Sequence, residues 1–278
     1  MASGRNKNTV FTASGDRFIA EWNLDTLQPE PFAAKLSQPA YAVLFIEEFE
    51  LLIAGNSVGG FHVIDVGEKK ELHLFNIHTN GIYDLAFDKL RNQLIVAGGD
   101  GVLSIWSIPD FQLLRKIPLS GRKLRQLAIS ETKDFVAVAC GDGSIRLLDL
   151  VLFNEIKNIS AHENGVSAVS WHPTKPVLVS GGKDALMKCW NIKDDYAEVL
   201  SLPAHNFAIY SVAFHGSICA TASRDKTIKI WDSASFEPLQ KLDVKSGGHS
   251  HSVNKVLWMG QKLVSCGDDR QVIVWKIN

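Results

Sequence analysis

The decapeptide SRDKTIKIWD at residues 223–232 recurs in outline along the whole chain, and that recurrence constrains the fold more than any other feature. With Trp231 as the marker, the same frame falls on Trp22, Ile64, Trp106, Leu148, Trp190, Trp231 and Trp275, at spacings of 42, 42, 42, 42, 41 and 44 residues. Six residues before each marker stand Asp16, Val58, Asp100, Asp142, Asp184, Asp225 and Asp269, an acid at six of seven positions. A period of about 40 to 45 residues belongs to units of four short strands, each too thin to bury both faces and so obliged to stack on its neighbours. The repeats run from residue 22 to residue 275 without a break. The expectation is one domain over residues 1–278, an all-β, seven-bladed β-propeller of four-stranded antiparallel blades.

Period-two alternation, and the residues between the alternating runs, place the strands inside a unit. In residues 162–192 the spacing predicts strand a over Val166–Trp171, strand b over Val177–Ser180 and strand c over Leu186–Ile192, with a fourth strand, d, near Glu198–Leu202. Pro173 and Pro176 fall in the a–b turn, where a missing N–H costs no ladder bond. Gly181 and Gly182 read as freeing the b–c turn from φ restrictions. No stretch reads as a long helix.

These repeats resemble the WD40 family of β-propellers over nearly the whole chain. The Trp-Asp ending is complete only at Trp231-Asp232, while Ile64-Asp65 and Leu148-Asp149 keep the acid without the indole. The resemblance implies a hydrogen-bonded tetrad in each blade, joining an Asp of the b–c turn, a His ahead of strand a, a Ser or Thr of strand b and the Trp of strand c. Three units supply all four: His162, Ser180, Asp184 and Trp190; His205, Thr221, Asp225 and Trp231; His249, Ser265, Asp269 and Trp275. Buried together, such groups satisfy one another, where each orphan costs about 1–3 kcal/mol.

Other units depart from the pattern. Unit three has His78, Asp100 and Trp106 but Val96 at the hydroxyl position; unit four has Ser120, Val138 and Leu148 around Asp142; unit two has Ala54, Val58 and Ile64. Apolar packing is expected in these three, because exchanging a whole buried polar set for apolar groups is close to neutral; a specialised neighbouring surface is the alternative. Unit one carries Thr12, Asp16 and Trp22, but its His and its strand a would precede Met1. Three residues after Trp275 leave no room for strand d of the last unit. Twenty-six strands are therefore expected, the first blade lacking its inner strand and the last its outer one. A trimmed or mis-started chain, or one whose gap a partner or second copy covers, would give that arrangement.

Composition narrows the function. Lys and Arg number 29 against 30 Asp and Glu, so no global field draws the chain to nucleic acid or membrane. No run approaches the roughly 20 apolar residues of a membrane span, and the start MASGRNKNTVF lacks the apolar core of a secretory signal. A cytoplasmic protein is expected. Cys140, Cys189, Cys219 and Cys266 are scattered without C-x-x-C or framework spacing and read as buried, reduced thiols. The tetrads draw Ser, His and Asp together as a hydrolase does, but they end in an indole donor and repeat, so no catalysis is assigned to them. Their histidines lie in separate units and do not converge on a metal. SGGKD at 180–184 lacks the spacing and the following helix of a phosphate loop, no dinucleotide fingerprint is present, and no cofactor is expected.

Strand a repeats the pattern apolar-x-x-apolar-x-large apolar in IYDLAF, LRQLAI, VSAVSW, IYSVAF, VNKVLW and, more loosely, AYAVLF. Its second position reads Tyr41, Tyr83, Arg125, Ser167, Tyr210 and Asn254. Strand a is innermost in the family, so the resemblance implies that these six ring the channel mouth, where members commonly hold peptides. Tyr and Arg are residue types that anchor interfaces. Arg122, Lys123, Lys183, Phe207 and Arg224 flank the ring, with Glu163 and Asp268 of opposite sign, and suit a peptide bearing an acidic or phosphorylated residue near units four to six. The expected function is a non-enzymatic scaffold for a protein or peptide partner, without a small-molecule substrate. Two alternatives stand beside it: a propeller fragment of a larger regulatory or complex-assembly protein, and a propeller enzyme, which titrating groups with shifted pKa values clustered in the channel would reveal.

Overall fold

The computed structural model describes residues 1–130 and 134–277. The fold is all-β: seven consecutive antiparallel sheets, the blades of a seven-blade propeller, six of them four-stranded in the order a-b-c-d and the last three-stranded. Contacts divide the chain into two compact units, Met1–Leu127 and Ala128–Asn278. Besides strands, the described residues hold only three short 3₁₀ turns, at Glu47–Phe49, Ile192–Asp194 and Val244–Ser246.

Blade five follows its sequence pattern closely, with strands Val166–Trp171, Val177–Gly182, Leu186–Asn191 and Ala197–Pro203. Strand b is buried along nearly its whole length, as a strand covered on both faces must be, while strand d leaves most side chains in solvent. Gly181 and Gly182 correct the expectation of a flexible turn. Both belong to strand b, and the left-handed conformation is taken by Ala185 instead, at φ 67°. A Cβ on Gly181 would lie 2.6 Å from Ile209 Cγ2, and one on Gly182 would collide with Asp184 Oδ1 and His162 Nδ1. Close approach of the next strand a, and of the His–Asp pair, requires glycine here.

The first blade also differs from expectation. Ala2–Ser3 form a short strand a paired with Phe11 and Val10, so the described residues hold 27 strands, one more than the pattern implies. The turn that follows is tied to Glu21, whose carboxylate has no exposed surface: Thr9 Oγ1 donates to Oε1 at 2.7 Å and an Arg5 Nη meets Oε2 at 2.7 Å. A buried carboxylate is tolerable only when paired in this way. The last blade ends at its strand c, Val272–Lys276, as expected. Val272 and Val274 there are only partly buried, whereas Ile228 and Ile230 at the matching positions of blade six lie against strand d and are 1% exposed.

All three predicted tetrads form. In blade five, Trp190 Nε1 donates to Ser180 Oγ at 2.9 Å, that hydroxyl lies 2.8 Å from His162 Nε2, and His162 Nδ1 lies 3.0 Å from Asp184. Blades six and seven repeat the chain through Thr221 and Ser265, with links of 2.7 to 2.9 Å. Donor chemistry sets the protons. An indole N–H only donates and a carboxylate only accepts, so the hydroxyl hydrogen points at Nε2 and the imidazole carries its own hydrogen on Nδ1. A second proton on the ring would turn Nε2 into a donor facing a hydroxyl that already has one. Burial drives the His78 and His162 imidazoles below their ordinary 6.5, against the pull of Asp100 and Asp184.

The blades expected to be apolar are not simply so. Blade three completes a fourth tetrad with a hydroxyl from the other strand: Ser104 of strand c, the cross-strand partner of Val96, accepts from Trp106 Nε1 at 3.0 Å and faces His78 Nε2 at 2.9 Å. Directly opposed residues hold their Cβ atoms only about 4.5–5.5 Å apart, so either strand delivers the oxygen. Blade four has Leu148 in place of the indole and carries a charged set instead. Arg146 Nη1 meets Glu155 at 2.9 Å and its Nε donates to Ser144 Oγ at 3.1 Å, while Ser144 Oγ donates to Asp142 at 2.6 Å. In blade two, where Val58 replaces the acid, Asn56 Oδ1 accepts the amides of Val58 and Gly60 at 3.0 and 2.9 Å. Asp16 and Asp142 likewise take the amides of Phe18 and Ser144, at 3.0 and 2.9 Å, without a His partner. The acid therefore recurs because it braces its own turn, whether or not a tetrad is built on it.

Candidate functional site

The second residue of strand a owes its position to a defect in pairing. In blade three Ile82 opposes Gly98 and Asp84 opposes Ala97, which leaves Tyr83 as the extra residue of a β-bulge. The same shift brackets Tyr41 between Ala40 and Ala42, Ser167 between Val166 and Ala168, Tyr210 between Ile209 and Ser211, and Asn254 between Val253 and Lys255. The apolar-x-x-apolar spacing is the sequence trace of this bulge, since an uninterrupted strand would alternate with period two. A bulge turns its extra side chain out of the ladder and re-aims it.

In the unit Met1–Leu127 these side chains gather. The Tyr41 and Tyr83 rings lie 5.5 Å apart, centroid to centroid, inclined at 31°. Lys123 Nζ donates to Tyr83 Oη at 2.5 Å and stands 4.8 Å from its ring centroid, and the Arg125 guanidinium lies 4.9 Å from the same centroid. Tyr41 is 53% exposed, Tyr83, Lys123 and Arg125 are half-buried, and Arg122 is exposed beside them with its amide on Ser120 Oγ. Arg125 Nε is buried without an acceptor among the described residues. Lys123 and Arg125 approach Tyr83 from about 40 positions away, a pairing that no local motif announces.

In the unit Ala128–Asn278 the expected residues are more dispersed. Phe207 is 56% exposed, with the Arg224 guanidinium 5.9 Å from its ring centroid. Tyr210 is half-buried, Lys183 is exposed, and Asn254 Nδ2 donates to Asp268 Oδ1 at 2.7 Å. Ser167 is 8% exposed, so its expected place among the outward anchors is corrected: a short side chain on the bulge stays beneath its neighbours.

Sequence reasoning missed the ties between successive strands a. Asp84 Oδ2 accepts the Leu127 amide at 2.8 Å, and Ser211 Oγ accepts the Val256 amide at 3.3 Å. The indoles of Trp171 and Trp258 donate to the carbonyls of Ala128 and Ala213 at 2.8 and 3.2 Å. The only signal for the first pair was a polar third residue in an otherwise apolar strand. These bonds hold the bulged residues of neighbouring blades at fixed spacing.

The chemistry of the buried groups is structural. Ser104, Ser180, Thr221 and Ser265 have no exposed surface, so the hydroxyls that imitate a hydrolase nucleophile do not meet a substrate. Burial pushes the thiols of Cys140 and Cys189 up to about 12, and that of Cys219 up as well, which keeps them protonated and unreactive. All four cysteines are free. Among the described residues no cluster of three or more His, Cys, Asp or Glu is arranged to hold a metal ion, and no helix is long and apolar enough to cross a membrane.

The profile described as WD domain, G-beta repeat (WD40) matches residues 69–107, 153–191, 197–232 and 236–276, more than half of the sequence. The chain belongs to the WD40 family. This WD40 chain is 31% identical over 163 residues to Coronin-2A of Bos taurus, covering 51% of the chain and 30% of that protein. It is 25% identical over 260 residues to Coronin-like protein crn1 of Schizosaccharomyces pombe, covering 87% of the chain and 37% of that protein. Against Protein transport protein SEC13-2 of Candida glabrata it is 25% identical over 223 residues, covering 67% and 73%. The chain thus spans about a third of the length of the coronins it matches. Among solved structures, the computationally designed Ika8 protein superposes with a TM-score of 0.75 at 25% identity, covering 97% of this chain and 81% of that one.

Proposed function

We propose that this WD40 chain is a non-enzymatic interaction scaffold that takes a peptide or protein partner on the side of the blades where strand a begins. The observation that carries this reading is the bulge: it projects Tyr41 and Tyr83 as neighbouring aromatic side chains, with Lys123 and Arg125 against the Tyr83 ring. Tyr and Arg held rigidly at a surface offer large contact area at low entropic cost, which is what interface anchors need. Phe207 with Arg224 is a second aromatic–cation pair of the same kind, in the other unit. Membership in a family of interaction modules supports the reading, and the buried, mutually satisfied tetrads leave no exposed nucleophile in them to argue for an enzyme.

The test is capture of partners from lysate by the parent chain and by Tyr83→Ala and Tyr210→Ala, with Glu198→Ala on an outer strand as the control. The expected outcome is loss of at least one specifically retained protein from a Tyr variant whose melting midpoint is preserved. Both Tyr variants folding normally and retaining every partner would place recognition elsewhere on the blades.

A further inference from the structure

The unit Met1–Leu127 carries a concentration of positive charge that meets no carboxylate among the described residues. Lys123 and Arg125 both stand within 5 Å of the Tyr83 centroid, at 4.8 and 4.9 Å, and Arg122 follows one residue before Lys123. Among the described residues none of the three meets a carboxylate within ion-pair distance, whereas Arg5, Arg91 and Arg146 each do. For Lys123 and Arg125 the counter-group is the Tyr83 ring, which attracts cations weakly, at about 0.5–1 kcal/mol where solvent reaches. Two like charges gathered on one ring repel each other, and an anion placed between them relieves both. The buried Arg125 Nε lacks an acceptor, so what the site is short of is acceptor oxygen.

The ring faces decide against the opposite ligand. A lysine, arginine or methylated ammonium seeks the face of an aromatic, but around Tyr83 that role is already filled by two resident cations, which would repel a third. Tyr41, 53% exposed, meets no cation among the described residues and offers its ring to an apolar or aromatic side chain. One ammonium and one guanidinium supply donors for the two oxygens of a single carboxylate.

We infer that the Tyr41–Tyr83–Lys123–Arg125 patch binds an acidic peptide segment, seating an Asp or Glu carboxylate between Lys123 and Arg125 and an adjacent aromatic side chain on Tyr41. This assignment rests on the proposed scaffold function and adds the chemistry of the partner.

The experiment measures fluorescence anisotropy of four labelled nonapeptides that share Gly-Gly-Phe and Phe-Gly-Gly ends, with Asp-Glu-Asp, Asn-Gln-Asn, Lys-Arg-Lys or Asn-phosphoserine-Asn between them. The acidic peptide should bind at least about tenfold more tightly than its amide isostere at low salt, with the ratio shrinking as salt rises. Arg125→Gln and Lys123→Gln should each remove about tenfold for the acidic peptide only, while Lys276→Gln changes nothing. Arg125→Glu should shift preference toward the Lys-bearing peptide, which shows that a variant with lost affinity is still folded. A phosphoserine peptide binding where the Asp peptide does not would overturn the carboxylate assignment. So would equal binding of acidic and amide peptides, or no binding of the series up to about 1 mM. Loss of both acidic and amide peptides in Tyr41→Ala and Tyr83→Ala, with no preference between them, leaves the docking function standing and removes the acid. Retention of every lysate partner by the Tyr variants removes the docking function itself.

Discussion

Blade five and blade two share strand order and register but differ in what fills the space between strands b and c. In blade five an indole, a hydroxyl, an imidazole and a carboxylate satisfy one another in series from Trp190 to Asp184. In blade two Ile64 and Ala54 occupy the indole and hydroxyl positions, both buried, and Asn56 has taken over the bracing of the turn. The polar set is therefore exchangeable wherever each remaining group keeps a partner, as Trp22 keeps Thr12 in blade one without a His; an indole without its hydroxyl, or a His without its carboxylate, would leave a buried group orphaned. Blade three makes the same point from the other side, since Val96 stands at the hydroxyl position and Ser104 across from it supplies the oxygen.

The sharpest way to break this comparison is Trp231→Ala, which opens a cavity and takes the indole donor away from the Thr221 hydroxyl at once. A stability loss of about 3–5 kcal/mol is expected by chemical denaturation. An unchanged denaturation midpoint would mean that the tetrad is no lock. Next comes Gly182→Ala. Its new Cβ meets the His162–Asp184 pair in blade five, for a loss of about 2–3 kcal/mol, whereas Gly15→Ala in blade one, with open space around it, should shift the midpoint little. Equal effects at the two sites would show that the close approach costs nothing.

Ser104→Ala should cost about 1–3 kcal/mol by leaving His78 and Trp106 without their shared oxygen. Adding Val96→Thr should recover part of that loss. A double-mutant cycle with zero coupling energy would refute the idea that either strand delivers the hydroxyl.

The fourth prediction concerns pH. Burial holds His78 and His162 below the ordinary 6.5, so the unfolded chain takes up protons first as pH falls. Stability is then full above about 6.5 and declines as pH drops from there toward the folded pKa. The carboxyls give a second stage. Burial lifts Asp100, Asp225 and Asp269, but their hydrogen bonds outweigh it and hold all three below the ordinary 3.8. Their contribution is intact above that value and is lost as pH falls through the folded pKa. Urea midpoints across pH 7 to 3 should fall in both windows, and His162→Gln should flatten the upper one. The smallest effect is Tyr41→Ala, which should leave stability within about 1 kcal/mol because half the ring already faces solvent.

The legible parts of the molecule are those written within one hairpin. Ser180, Asp184 and Trp190 stand at fixed offsets on strands joined by a short turn, so their meeting follows from the register of strands b and c. The three complete tetrads, the strand order of blade five and the recurring Asp were readable for that reason. Ser104 was not, because a side chain that crosses to the partner strand leaves its usual offset. Gly182 was misread as a turn residue because its constraint comes from His162, which lies 20 positions earlier and returns only in the folded blade.

The sequence by itself determined the number of blades, the period of their strands and the spaced apolar pattern of strand a, whose meaning as a bulge only the pairing revealed. Only the tertiary structure decided that Ser167 is covered while Tyr41 is open, that Glu21 is buried against Arg5, and that Lys123 and Arg125 rest on Tyr83. The Tyr83 contacts join residues about 40 positions apart across neighbouring strands a, and at that separation composition states which side chains exist but not which ones meet.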